Sequence, residues 1–115
     1  KNGRVYQMDN KVGYQQALMK NFEDIGKEEV AVIHSAFGDK PHVVAFVKVD
    51  KTLTDEQKCE QAFKLTNTIE QGWWNNEGVQ YMGPNKTCRS TSSGDQVVLK
   101  NGTKYNCSFI GWEKV

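Results

Sequence analysis

Histidine, arginine, cysteine and proline are all scarce in this chain, and long apolar runs are missing. There are two histidines, His34 and His42, with no third ligand at a suitable spacing, so the pair reads as structural or solvated and no metal is expected. Three cysteines, Cys59, Cys88 and Cys107, are an odd number without a Cys-x-x-Cys pair, which argues against a disulfide framework and for a reduced, cytosolic chain. Two prolines leave no Pro-rich linker. Arginine occurs twice, as Arg4 and Arg89, and 15 basic against 14 acidic residues give a net charge of +1. A duplex-DNA binder normally carries a clear basic excess, so that class is set aside. No apolar run approaches the roughly 20 residues that span a bilayer, and no signal-peptide pattern is present in a sequence that opens on Lys1. Three N-glycosylation triplets begin at Asn85, Asn101 and Asn106. Asn101 is better explained as a turn residue and Asn106 as a strand residue, so all three are expected to be unused.

What is there is an ordinary globular balance, with 37% apolar and 25% charged residues over 115 positions, enough for one domain with a modest core. Residues 4–8 alternate apolar and polar side chains, the pattern of a short strand with one buried face. Val12, Leu18, Met19, Phe22 and Ile25 recur at helical spacing, predicting a helix over 12–25 that ends at Gly26. Segments 29–34 and 42–49 are rich in β-branched residues and read as an antiparallel hairpin with a longer loop. Residues 43–47 are apolar on both faces, as in a central strand.

Thr54-Asp55-Glu56-Gln57 is a capping box with its acidic pair in the first turn, where the helix dipole favours negative charge. Cys59, Ala62, Phe63, Thr66, Ile69 and Trp73 then form one stripe, predicting a helix that ends near Gly72. Asn101-Gly102 between 96–100 and 103–109 predicts a two-residue type I′ hairpin, with Val98 facing Tyr105 and Gln96 facing Cys107. Residues 111–115 finish as a short strand. The expected fold is therefore α+β, an antiparallel sheet with two helices packed on one face and a C-terminal β-hairpin, all in a single domain 1–115.

The stretch 73–95 holds the candidate site. Trp73 continues the buried stripe, which leaves Trp74 as the candidate for a ring-stacking surface or for an oligomer contact. Asn75 and Asn76 offer amide donors and acceptors for a base edge or a ribose, or simply turn the chain. Arg89 carries a guanidinium able to fork onto a phosphate, and Ser90, Thr91, Ser92 and Ser93 add hydroxyls and backbone amides around it. As an arginine in a polar loop, Arg89 is expected to contribute little to stability. No P-loop pattern is present, no histidine follows Cys88, and no carboxylate pair has a recognisable acid/base spacing, so catalysis and a cofactor are not expected.

Ala62-Phe63-Lys64-Leu65-Thr66-Asn67-Thr68-Ile69, Trp73-Trp74-Asn75-Asn76-Glu77-Gly78-Val79, Arg89-Ser90-Thr91-Ser92-x-Gly94-Asp95, Gly102-x-x-Tyr105 and Gly111-Trp112 together resemble a class of small phage-encoded proteins. The described relatives the pattern is most similar to are the Thoeris anti-defence proteins, sponges for cyclic ADP-ribose signals. The resemblance spans roughly the C-terminal half, and Ser93 stands where a small apolar residue such as Val is expected. It implies an α+β homo-oligomer with pockets near subunit contacts that binds a cyclic nucleotide signal in the host cytoplasm without turnover. The near-neutral charge and short apolar runs add that neither membrane nor duplex nucleic acid is expected as a partner. Ligand contacts would fall to Arg89, Ser90, Thr91, Ser92, Trp74, Asn75, Asn76 and Phe63. Two other classes fit the same residues: a phage inhibitor of a host enzyme acting by protein–protein contact, and a single-stranded nucleic-acid-binding module that stacks bases on its aromatics.

Overall fold

The computed structural model describes residues 26–68 and 72–115. The strand expected over 4–8, the helix over 12–25 and the stripe residue Ile69 lie outside them.

β-branched runs build the first two strands, β1 (Lys27–His34) and β2 (His42–Asp50), which pair antiparallel from Lys27 opposite Asp50 to His34 opposite His42. The register shifts by one between Val32 and Ile33, leaving Val44 as an extra residue on β2. Val30, Val32 and His34 share the buried face of β1, so His34 continues a core stripe instead of facing water.

Helix α1 (Asp55–Leu65) follows β2 and packs against it. Its capping box forms as the sequence predicts: Gln57 N donates to Thr54 Oγ1 (3.2 Å), and Thr54 N donates to Gln57 Oε1 (3.0 Å). Cys59 and Ala62 enter the core. The predicted length is corrected, because the helix stops at Leu65 rather than near Gly72. The Thr66 hydroxyl folds back to donate to Ala62 O (2.9 Å), and Asn76 Nδ2 takes the terminal carbonyl of Leu65 (2.8 Å). These side-chain bonds satisfy helix-end groups that would otherwise call for another turn. Trp73 is buried as expected, but from a separate 3₁₀ turn, Trp73–Asn75, and not as the last residue of the stripe.

Strand β3 (Val79–Tyr81) returns beside β2. β4 (Gln96–Val98), β5 (Lys104–Ser108) and β6 (Gly111–Lys114) complete one antiparallel sheet in the order β3-β2-β1-β4-β5-β6. The expected β4–β5 hairpin is present, but its register is corrected by one residue. Val97, not Val98, faces Tyr105, and Gln96 faces Asn106. Gly102 N donates to Leu99 O (2.9 Å) and Gly102 alone takes a left-handed φ of 92°. The loop is thus a three-residue turn with glycine at the bulge, and Asn101 uses its Oδ1 to hold Thr103 N (2.9 Å). A one-residue slip exchanges the two faces of a strand. Here it puts Val97 and Tyr105 in the core.

The expected fold class is corrected accordingly. Among the described residues the protein is a six-stranded antiparallel sheet with one helix longer than a turn, not a sheet with two helices on one face. Among the described residues no helix is long and apolar enough to cross a membrane.

Candidate functional site

Between β1 and β2 the chain turns through Ala36, Phe37, Gly38 and Asp39, closed by Asp39 N donating to Ala36 O (3.1 Å). Phe37 (φ 58°) and Gly38 (φ 79°) are both left-handed, the pattern of a type I′ turn. That pattern favours Asn or Gly at its first central position, and a phenylalanine there is strained by about 1–2 kcal/mol. The ring it presents is 76% exposed, and the Arg89 guanidinium carbon lies 5.0 Å from its centroid.

Arg89 is held on two edges. On the inner edge, Nη1 donates to Asp95 Oδ2 (2.7 Å) and Nη2 to Asp95 Oδ1 (2.9 Å), a bidentate pair with a fully buried carboxylate. On the outer edge, Nε (3.2 Å) and Nη2 (3.0 Å) both donate to Asp39 Oδ2. Nη1 also reaches Ser90 O (3.0 Å), so all five N–H groups have protein acceptors. Asp95 accepts in addition from the backbone N–H groups of Ser35 (2.8 Å), Ala36 (2.9 Å) and Ser92 (2.8 Å). Burial works to raise the Asp95 carboxyl, but the guanidinium and these N–H groups outweigh it and hold it down at about 2. The same hydrogen bonds from Asp95 and Asp39 push Arg89 above its ordinary range, against the opposing effect of burial.

The Arg89-Ser90-Thr91-Ser92-x-Gly94-Asp95 element is therefore a knot tying three parts of the fold. The buried Thr91 hydroxyl meets His34 Nε2 (2.9 Å), and its backbone N donates to Thr66 O (3.0 Å). Trp73 Nε1 donates to Arg89 O (3.0 Å). Gly94 (φ 97°) lies so close to Ala36 that a Cβ on it would sit 3.1 Å from the alanine methyl.

The residues predicted for ligand contact are divided by the structure. Arg89, Ser90, Thr91 and Ser92 come together, but Thr91 faces inward and the contacts of Ser90 and Ser92 to the cluster are made by their backbones. Trp74 is half-buried and packs edge-on to Trp73 (5.8 Å between centroids) and tilted against Tyr81 (6.1 Å). Asn75 is exposed, whereas Asn76 bridges Leu65 O and Thr68 Oγ1 (both 2.8 Å). Phe63 meets Trp112 instead (6.1 Å). The ring over Arg89 is Phe37, which sequence reasoning passed over. Its one local signal was a bulky residue ahead of Gly38 in a short loop.

Sequence order also hid a thiol–imidazole contact: Cys88 Sγ lies 3.7 Å from His34 Nδ1. Burial pushes the Cys88 thiol up and the His34 imidazole down to about 4. Both shifts oppose a thiolate–imidazolium pair, so the contact does not make an activated nucleophile. His42 meets His34 edge to face at 6.3 Å and is anchored through Nδ1 to Lys40 O (2.7 Å).

No family model, curated protein or solved structure matches the chain.

Proposed function

We propose that the protein binds and sequesters, without turnover, a small anionic nucleotide carrying a flat ring, of the cyclic ADP-ribose class, in the host cytoplasm. What supports this reading is the strained, exposed Phe37 ring set over Arg89, because backbone strain of this kind persists where a ligand clamp needs it. The solvent-facing side of the phenyl ring would take the base. The site for phosphate is the outer edge of Arg89, where Asp39 now sits with 38% of its side chain exposed. Asp95 is buried and stays; Asp39 is the exchangeable anion, and a phosphate replacing it would inherit two forked N–H donors. The other edge of Arg89 is engaged by the buried Asp95 and by Ser90 O, which favours the outer edge for phosphate.

Displacement of a carboxylate has a direct test. Calorimetry against cyclic ADP-ribose isomers should give binding, with intact ligand recovered after heat denaturation. Asp39→Asn should tighten binding, since the competing charge is gone while the turn is kept. Phe37→Ala should weaken it by about tenfold or more, given that stacking on an aromatic contributes about 1–3 kcal/mol per base. A cleaved product would move the protein to the enzymes. Absence of binding by both the parent and Asp39→Asn would remove the reading.

A further inference from the structure

The C-terminal hairpin carries a second exposed apolar feature, remote in kind from the Arg89 cluster. Phe109 and Ile110 are the two central residues of the β5–β6 turn, between the paired Ser108 and Gly111, and they are 97% and 92% exposed. Two-residue turns favour Asn, Asp and Gly, so neither side chain is there for the turn. Below the tip, Trp112 stands between two adjoining clefts of about 390 and 440 Å³ that run along α1. Phe63 closes one of them and packs against Trp112, whose Nε1 donates to Glu60 Oε2 (3.1 Å). Among the described residues, the charged groups lining these clefts are Glu60 in both and Glu56 in one, with no Lys, Arg or His beside them.

We infer that this surface docks a segment of a partner protein that alternates basic and apolar side chains. Apolar residues would cover Phe109, Ile110 and Phe63, and a guanidinium or ammonium would lie over Trp112 within reach of Glu56 and Glu60. An exposed apolar patch rimmed by polar groups marks an interaction site, and a cation over an indole beside a carboxylate gains from both. A second copy of the chain is the poorer occupant. A two-fold contact through this face brings Glu56 and Glu60 of both copies into one interface with no cation among the described lining residues to offset them, and like charges gathered in an interface are costly. The same carboxylates repel a nucleic-acid backbone.

The test uses the whole ¹⁵N-labelled chain and two blocked pentapeptides, Leu-Arg-Leu-Arg-Leu and Leu-Glu-Leu-Glu-Leu. The arginine peptide should shift the Trp112 indole N–H signal saturably and the glutamate peptide should not. Raising salt from 50 to 500 mM should weaken binding several-fold, because these carboxylates are at the surface. Glu56→Gln with Glu60→Gln, and separately Phe109→Ser with Ile110→Ser, should each cost at least tenfold in affinity. Equal response to both peptides, or none to either, overturns the inference. So does a Trp112 signal that moves with protein concentration alone while sedimentation reports a dimer. The parent-protein arms need no variant, and failure of cyclic nucleotide binding would leave them untouched.

Discussion

At the scale of single residues, Arg89 and Asp95 decide more about stability than a polar-loop arginine should. Arg89→Ala removes the guanidinium paired with a buried carboxylate that three backbone N–H groups have already drawn into the interior. Breaking such a pair from one side leaves the charge uncompensated, and a loss of about 3 kcal/mol is expected. Urea denaturation will show it as a lower midpoint at unchanged slope, reversing the sequence-level expectation that this variant folds like the parent. A pH titration of stability probes the same region. His34 titrates near 6.5 when unfolded and about 4 when folded, so the unfolded chain binds the proton first. Its contribution is full above pH 6.5 and is lost as pH falls to about 4, a decrease of about 3 kcal/mol. Asp95 follows: its folded value of about 2 lies below the ordinary 3.8, so a further 2 kcal/mol or so is lost as pH falls through that interval. Denaturation at pH 7, 5 and 3 should therefore show decline beginning well above the carboxylate range, and His34→Gln should flatten the upper part of it.

Elements show which local signals survive the fold. The capping box was legible because all of its partners lie within four residues, and the structure forms both bonds. The hairpin was legible as a hairpin, but its register was not. Asn101-Gly102 allows both a two-residue turn and a three-residue turn with a glycine bulge, and the choice falls to whichever register buries Val97 against Tyr105. Gly102→Ala meets open space but must hold a φ of 92°, so a loss of about 1 kcal/mol is expected, measurable as a lower melting temperature. The helix stripe misled for a related reason. Trp73 keeps the period of α1 on paper, yet Thr66 and Asn76 cap the helix with side chains before the period reaches it.

For the whole molecule, Trp73 is where the layers meet. Its ring is buried beside His34 (6.3 Å) and Tyr81 (5.4 Å), while its N–H reaches the Arg89 carbonyl. Trp73→Phe keeps a ring but leaves that carbonyl without its donor, so about 1–2 kcal/mol of stability should go. Amide hydrogen exchange should quicken at Thr91 and Ser92, the hydrogen-bonded amides of the knot that follow the lost bond along the chain. The sequence by itself determined the two long strands, the start of α1, the burial of Trp73 and the chemical types gathered in residues 89–95. Each of these follows from periodicity or from contacts a few residues apart. Only the tertiary structure decided what Arg89 does, because its outer partner Asp39 is 50 residues away and its aromatic cover, Phe37, arrives on the same distant turn. A guanidinium's role is set by which anions the fold brings to its edges, and sheet pairing across that distance leaves no periodic trace in the chain.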